Sequence, residues 1–215
     1  MLLGKSIRRI SVTLKETTKQ IEEKINKALV EHINSKLRAG SNRAMTKARR
    51  YVKEWILETP EMQSIATGGE LAGNLGIRGG TGVSIAASIA DAVALSTVFE
   101  FTPFSDKLKG RAVLNFQPIS FANLLSLPAG YTATKKGDRL HWLDWVLKEG
   151  NKTIIVGYEY FPDTGKGRSG LGSMKQGSMW RVPPQFAGTA TDNFITRAFQ
   201  GKEKQIESLF SEILR

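Results

Sequence analysis

From Ile21 to Leu37 an apolar side chain stands at every fourth residue: Ile21, Ile25, Leu29, Ile33 and Leu37. In a helix of ~3.6 residues per turn that spacing holds all five on one slowly drifting face. Val12 and Leu14 precede the stripe, and a helix is predicted over Ser11–Arg38. Glu22, Glu23, Lys24 and Lys27 lie off the stripe and supply opposite charges at helical spacing. Gly40 is expected to interrupt the helix, with Ser41 or Asn42 capping a second segment, Arg43 to Leu57. That segment carries its own apolar face, Ala44, Ala48, Val52, Trp55 and Ile56, and stops before Pro60. Two helical segments this long must lie on something. The cover is either the rest of the chain or a neighbouring copy.

Charge divides the chain at the same place. Residues 1–58 hold 14 Lys and Arg against 6 Glu, while the other 157 residues hold 17 basic against 14 acidic side chains. A basic helical arm (1–58) is therefore joined to a nearly neutral body (59–215). The net charge of +11 suits contact with a polyanion, whether DNA, RNA or an acidic protein surface. Without cysteine the chain has no disulfide, thiolate metal site or cysteine nucleophile. Met1 to Gly4 is too short for a secretory signal, and Lys5, Arg8 and Arg9 interrupt it. No window offers the ~18 apolar residues of a membrane span; the closest, Val83 to Phe101, contains Asp91 and Glu100.

The body reads as mixed. Residues 60–82 look like a connection, bracketed by Gly68-Gly69 and Gly79-Gly80. Ala86 to Ala94 suits helix or strand. Val93, Leu95, Phe99 and Phe101 alternate as in a half-buried strand, with further strands at Arg111–Phe116 and Lys152–Phe161. Short helices are expected at Ser120–Ser126 and His141–Lys148. Asp163 to Ser178, rich in Gly, Ser and Lys, reads as a mobile loop. Pro183 and Pro184 make the next segment extended, and a final helix is predicted from Thr191 to Leu214.

Few residues invite chemistry. His141 and Asp144 stand one turn apart, but the other histidine, His32, is far away in the arm and no third ligand is near in sequence. Trp142 and Trp145 read as core or subunit interface, and Trp180 as an anchor for the extended strap. Gly165-Lys166 lacks the spacing of a phosphate-binding P-loop. Gly167 to Leu171 misses the nucleophile elbow because Leu171 stands where glycine is required. Basic residues in this loop suit phosphate or a carboxylate-rich neighbour. Neither catalysis nor any metal or cofactor is implied.

Several segments in order carry a resemblance: Leu140 to Gly150, Ile154 to Tyr160, Gly167 to Gly170, and Trp180 to Thr189 followed by Asp192 to Ile195. Together they resemble the tail-completion or neck proteins of tailed bacteriophages, also described as minor tail or head–tail joining proteins. Thr67-Gly68-Gly69-Glu70-Leu71 is similar to that family's Thr-Gly-x-Leu turn with one extra glycine. The resemblance covers residues 138–200 by motif and 10–75 by layout. It implies an α+β fold: a small antiparallel sheet flanked by helices, a long N-terminal helix and a C-terminal helix. It also implies a virion protein assembled in the host cytoplasm. Copies of the chain, six in that family, would form a ring joining tail to head, with other connector and tail proteins as partners and transient contact with genomic DNA. The surfaces expected to serve are Arg8, Arg9, Arg43, Lys47, Arg49 and Arg50 on the arm, Lys166, Arg168 and Lys175 in the loop, and Trp180, Pro183 and Pro184 in the strap. The alternative is a nucleic-acid-binding protein that grips phosphate with its arm; a hydrolase built on His141 and Asp144 is the weaker rival.

Overall fold

The computed structural model describes residues 15–134, 137–163 and 165–213. Its first element is a single helix, α1 (Thr18–Leu57), of 40 residues and so ~60 Å long. Thr17 starts it with a capping box: its hydroxyl accepts from the Gln20 amide while Gln20 Oε1 accepts from the Thr17 amide. Residues 15–17 therefore precede the helix, and the part of the predicted start at 11–14 lies outside the described residues.

The expected break at Gly40 does not occur. Glycine inside a helix costs ~1 kcal/mol relative to alanine, but Gly40 is buried where α8 (Glu203–Ile213) crosses α1. A β-carbon there would sit 2.6 Å from the Ile213 carbonyl oxygen and 2.9 Å from its Cα. The glycine lets the two helices touch. It does not end either of them.

Residues 60–82 are mostly helix rather than connection. Thr59 caps α2 (Pro60–Thr67), accepting from the Met62 amide, with Pro60 in the first turn where its missing N–H costs nothing. Gly68 closes α2 in the left-handed conformation, and α3 (Glu70–Asn74) follows. The ambiguous alanine-rich stretch is α4 (Gly82–Leu95). Its buried face, Ala86, Ile89, Ala90, Val93 and Ala94, has helical spacing, so Val93 and Leu95 belong to this helix and the strand begins at Val98. Small residues let α4 approach closely: a β-carbon on Gly82 would overlap the Ile65 carbonyl of α2.

Among the described residues the strands pair as three antiparallel ribbons. These are β1 (Val98–Thr102) with β2 (Arg111–Asn115), β3 (Thr132–Ala133) with β4 (Arg139–Leu140), and β5 (Ile155–Pro162) with β6 (Gly172–Trp180). Short helices α5 (Ala122–Leu125) and α6 (Trp142–Leu147) separate them in the chain. The fold is α+β, as expected, with the antiparallel pairing distributed over ribbons. β6 corrects the loop predicted at 163–178, because most of its second half is strand. The remaining turn is tied by backbone hydrogen bonds from Gly165 to Gly170, Gly172 to Lys166 and Asp163 to Leu171. Gly167, at φ 71°, serves that turn geometry.

The main core joins the second half of α1 (Val52, Trp55, Ile56) to α2, α4 and α6, so arm and body share one interior. Trp142, fully buried, donates from Nε1 to the Ala129 carbonyl at 3.1 Å. A smaller cluster of Leu37, Ala44 and Ile213 packs with Ile33, Phe99, Phe101 and Phe210. Asn34 fastens the ribbon to α1 by bonding both the amide and the carbonyl of Phe104. Beyond β6 the chain is extended at Pro183, and Pro184–Phe186 forms a 3-10 turn. The predicted last helix is two: α7 (Phe194–Ala198) and α8, separated at Gly201 with φ 72°. Buried Asn193 sets the start of α7 by accepting from the Ile195 and Thr196 amides while donating to the Thr189 carbonyl. Among the described residues no helix is long and apolar enough to cross a membrane.

Candidate functional site

The stripe that opens the sequence is covered over only part of its length. Leu37 is buried and Ile33 half-buried by β1 and α8. Ile25 and Leu29 remain 52% and 45% exposed. Covering them is worth on the order of 1 kcal/mol each, which a partner surface can supply. A second exposed apolar group lies on the β5–β6 ribbon, where Val156, 79% exposed, is paired directly across from Met179.

Arm residues Arg43, Lys47 and Arg50 fall on one face of α1 and line a shallow open groove with Asn42 and Thr46. They are not equally available. Lys47 is ion-paired with Glu212 of α8, and hydrogen bonding to Glu212 and Tyr51 pushes its pKa above the usual lysine value against the opposing effect of desolvation. Arg50 stands 3.8 Å from Glu54 and lies over the Tyr51 ring. Arg49 turns to the body, donating to the carbonyls of Leu95 and Thr97 and so tying α1 to the end of α4. Arg43 is exposed and has no acidic partner among the described residues. Arg8 and Arg9 lie outside the described residues.

The loop residues diverge. Lys166 pairs with Asp163 at 2.9 Å. Lys175 sits on β6 opposite Glu159, with its ammonium 5.3 Å from the centre of the Phe161 ring. Arg168 instead lines a cleft of about 380 Å³ with Arg78, Thr81, Tyr131 and Thr132. Arg78 and Tyr131 were not singled out by the sequence, since a lone arginine in a glycine-rich stretch carries no periodic signal. The strap is anchored as expected: Trp180 is buried and its indole donates to Asn74 Oδ1 at 2.9 Å. Pro183 is buried and Pro184 exposed.

His141 precedes α6 and stacks on Tyr131, ring centres 4.1 Å apart. Burial pushes its pKa below the usual 6.5, with nearby Asp144 opposing that shift. Asp144 is ion-paired with Lys148 at 2.7 Å. His141 and Asp144 thus sit in one neighbourhood, and among the described residues no third metal-ligating side chain joins them. Tyr160 packs against α3 with its hydroxyl donating to the Leu171 carbonyl; burial, then Glu70, raises its pKa above 10.0. No protein-family model, curated protein or solved structure matches the chain.

Proposed function

We propose that this chain is a structural subunit of a bacteriophage neck or tail-completion ring, joining tail to head by shape and charge complementarity. The observation that carries the reading is the uncovered stretch of α1, where Ile25 and Leu29 stay exposed on a helix whose later turns are packed by the same chain. A closed ring needs two unlike surfaces on each subunit. The leading turns of α1 are one candidate and the β5–β6 ribbon with Val156 and Met179 is the other. Arg43, Arg50 and the strap at Pro184 are exposed and supply further surface for such contacts. The partners on this reading are sister copies and acidic or DNA-bearing virion components.

Light scattering with electron imaging of the purified chain tests assembly, and imaging of purified virions tests location. The wild type is expected to form rings. A doubly changed chain, Ile25→Glu with Leu29→Lys, is expected to stay monomeric with stability within ~0.5 kcal/mol of wild type, as for exposed substitutions. A wild-type chain that stays monomeric at high concentration and is missing from the virion neck overturns the reading.

The basic groove favours a second reading, a nucleic-acid-binding protein using Arg43, Lys47 and Arg50. It predicts that the monomer binds duplex DNA with affinity falling steeply as salt rises. Weak monomer binding together with ring formation excludes it.

A further inference from the structure

We infer that the cleft between the start of α4 and β3 is a binding site for a phosphate group, held by Arg78 and Arg168. The two arginines come from distant parts of the chain, and one backbone bond, from the Gly79 amide to the Ser169 carbonyl at 3.0 Å, sets their segments side by side. Ser169 is buried, and its hydroxyl accepts from the Leu171 amide, so the residue after Arg168 is fixed. The Arg168 guanidinium stands 3.5 Å from the Thr132 hydroxyl, which itself donates to the Gly76 carbonyl. A third arginine, Arg139, lies 4.4 Å over the ring of Tyr131, which lines the same cleft. Among the described residues no carboxylate lines the cleft, and none of the three arginines has an acidic partner.

Positive groups gathered without a counter-charge repel one another, and a bound anion turns that repulsion into attraction. Guanidinium forks match phosphate oxygens in pairs, and a phosphate, near −2 as a monoester and −1 within a strand, offers several arginines more oxygens than a single carboxylate does. The cleft is larger than the phosphate alone, with Ile77 and Ile85 in its wall. That leaves room for an organic body, either a phosphorylated small molecule or the continuing strand of a nucleic acid. This inference is independent of ring formation.

The test is titration calorimetry on the full chain with inorganic phosphate, AMP and a short DNA duplex. Sodium chloride and sodium acetate at matched ionic strength are the controls. Saturable binding of phosphate or AMP is expected, weakened about tenfold or more by Arg78→Gln and by Arg168→Gln and unchanged by Lys204→Gln, at an exposed position of α8. Should a glutamine variant lose its helical circular dichroism, Arg78→Lys and Arg168→Lys replace it, keeping charge but losing the fork, with a smaller weakening expected. Duplex binding that needs both arginines, without AMP binding, also supports the site and identifies a strand as the source. Binding no stronger than the chloride or acetate control, or unaffected by the arginine substitutions, overturns it.

Discussion

Alanine at Gly40 separates helix propensity from tertiary packing in a single methyl group. In an isolated helix the change stabilises by ~1 kcal/mol. Here the new β-carbon meets the backbone of Ile213 at 2.6 Å and 2.9 Å, where no flexible side chain can swing away. Ordinary carbon contacts begin near ~3.5 Å, so the Ile213 Cα at 2.9 Å, and α8 with it, must retreat by roughly 0.6 Å. A gap of that size forfeits about a quarter to a half of each dispersion contact it opens. The contacts at risk join Ile213 and Phe210 to Leu37, Ala44 and Ile33. Overpacking of this kind costs about 1–3 kcal/mol. Because the obstacle is backbone, the upper part of that range applies, and after the propensity gain Gly40→Ala is expected to destabilise by ~1–2 kcal/mol. Urea unfolding at constant slope measures it, and faster amide exchange in α8 locates it. Asn42→Ala, exposed on the same helix, is the control and should be neutral or slightly stabilising. A Gly40→Ala chain as stable as wild type, with α8 protection unchanged, refutes the reasoning.

Two further outcomes are expected. Arg197→Met leaves Glu61, 2% exposed, without its cation and should cost about 3 kcal/mol in urea unfolding; adding Glu61→Gln should recover much of that loss. His141 has its folded pKa pushed below 6.5 by burial, so between the two values the unfolded chain binds more protons and stability falls as pH drops through 6.5. His141→Phe keeps an aromatic stack on Tyr131 and should flatten that part of the pH–stability curve; an unchanged curve refutes the assignment.

Periodic features were legible in the chain. The four-residue spacing from Ile21, the apolar face of Arg43–Leu57, the strands at Arg111 and Lys152, and the buried Trp142 helix all follow from side-chain period, which local backbone geometry imposes on any sequence. Glycine misled in both directions. Gly40 looked like a stop and is a helix crossing, while the glycines at 165–172 looked like mobility and serve a bonded turn ahead of a strand. Glycine permits a bend, a close approach or a positive φ, and only the neighbouring atoms decide which. The candidate surfaces divide in the same way. The basic face of α1 follows from spacing, but the diversion of Arg49 to the Leu95 and Thr97 carbonyls does not.

The sequence by itself determined two amphipathic helical stretches ahead of Pro60, a body of mixed helix and strand and a basic leading segment, because period and charge are local properties of the chain. Tertiary structure alone decided which turns of that helix are covered and where α8 crosses it. It also brought Arg78 and Arg168 to one cleft. Those outcomes depend on distant segments meeting in space, held by contacts such as Gly79 to Ser169, and no local pattern encodes such a meeting.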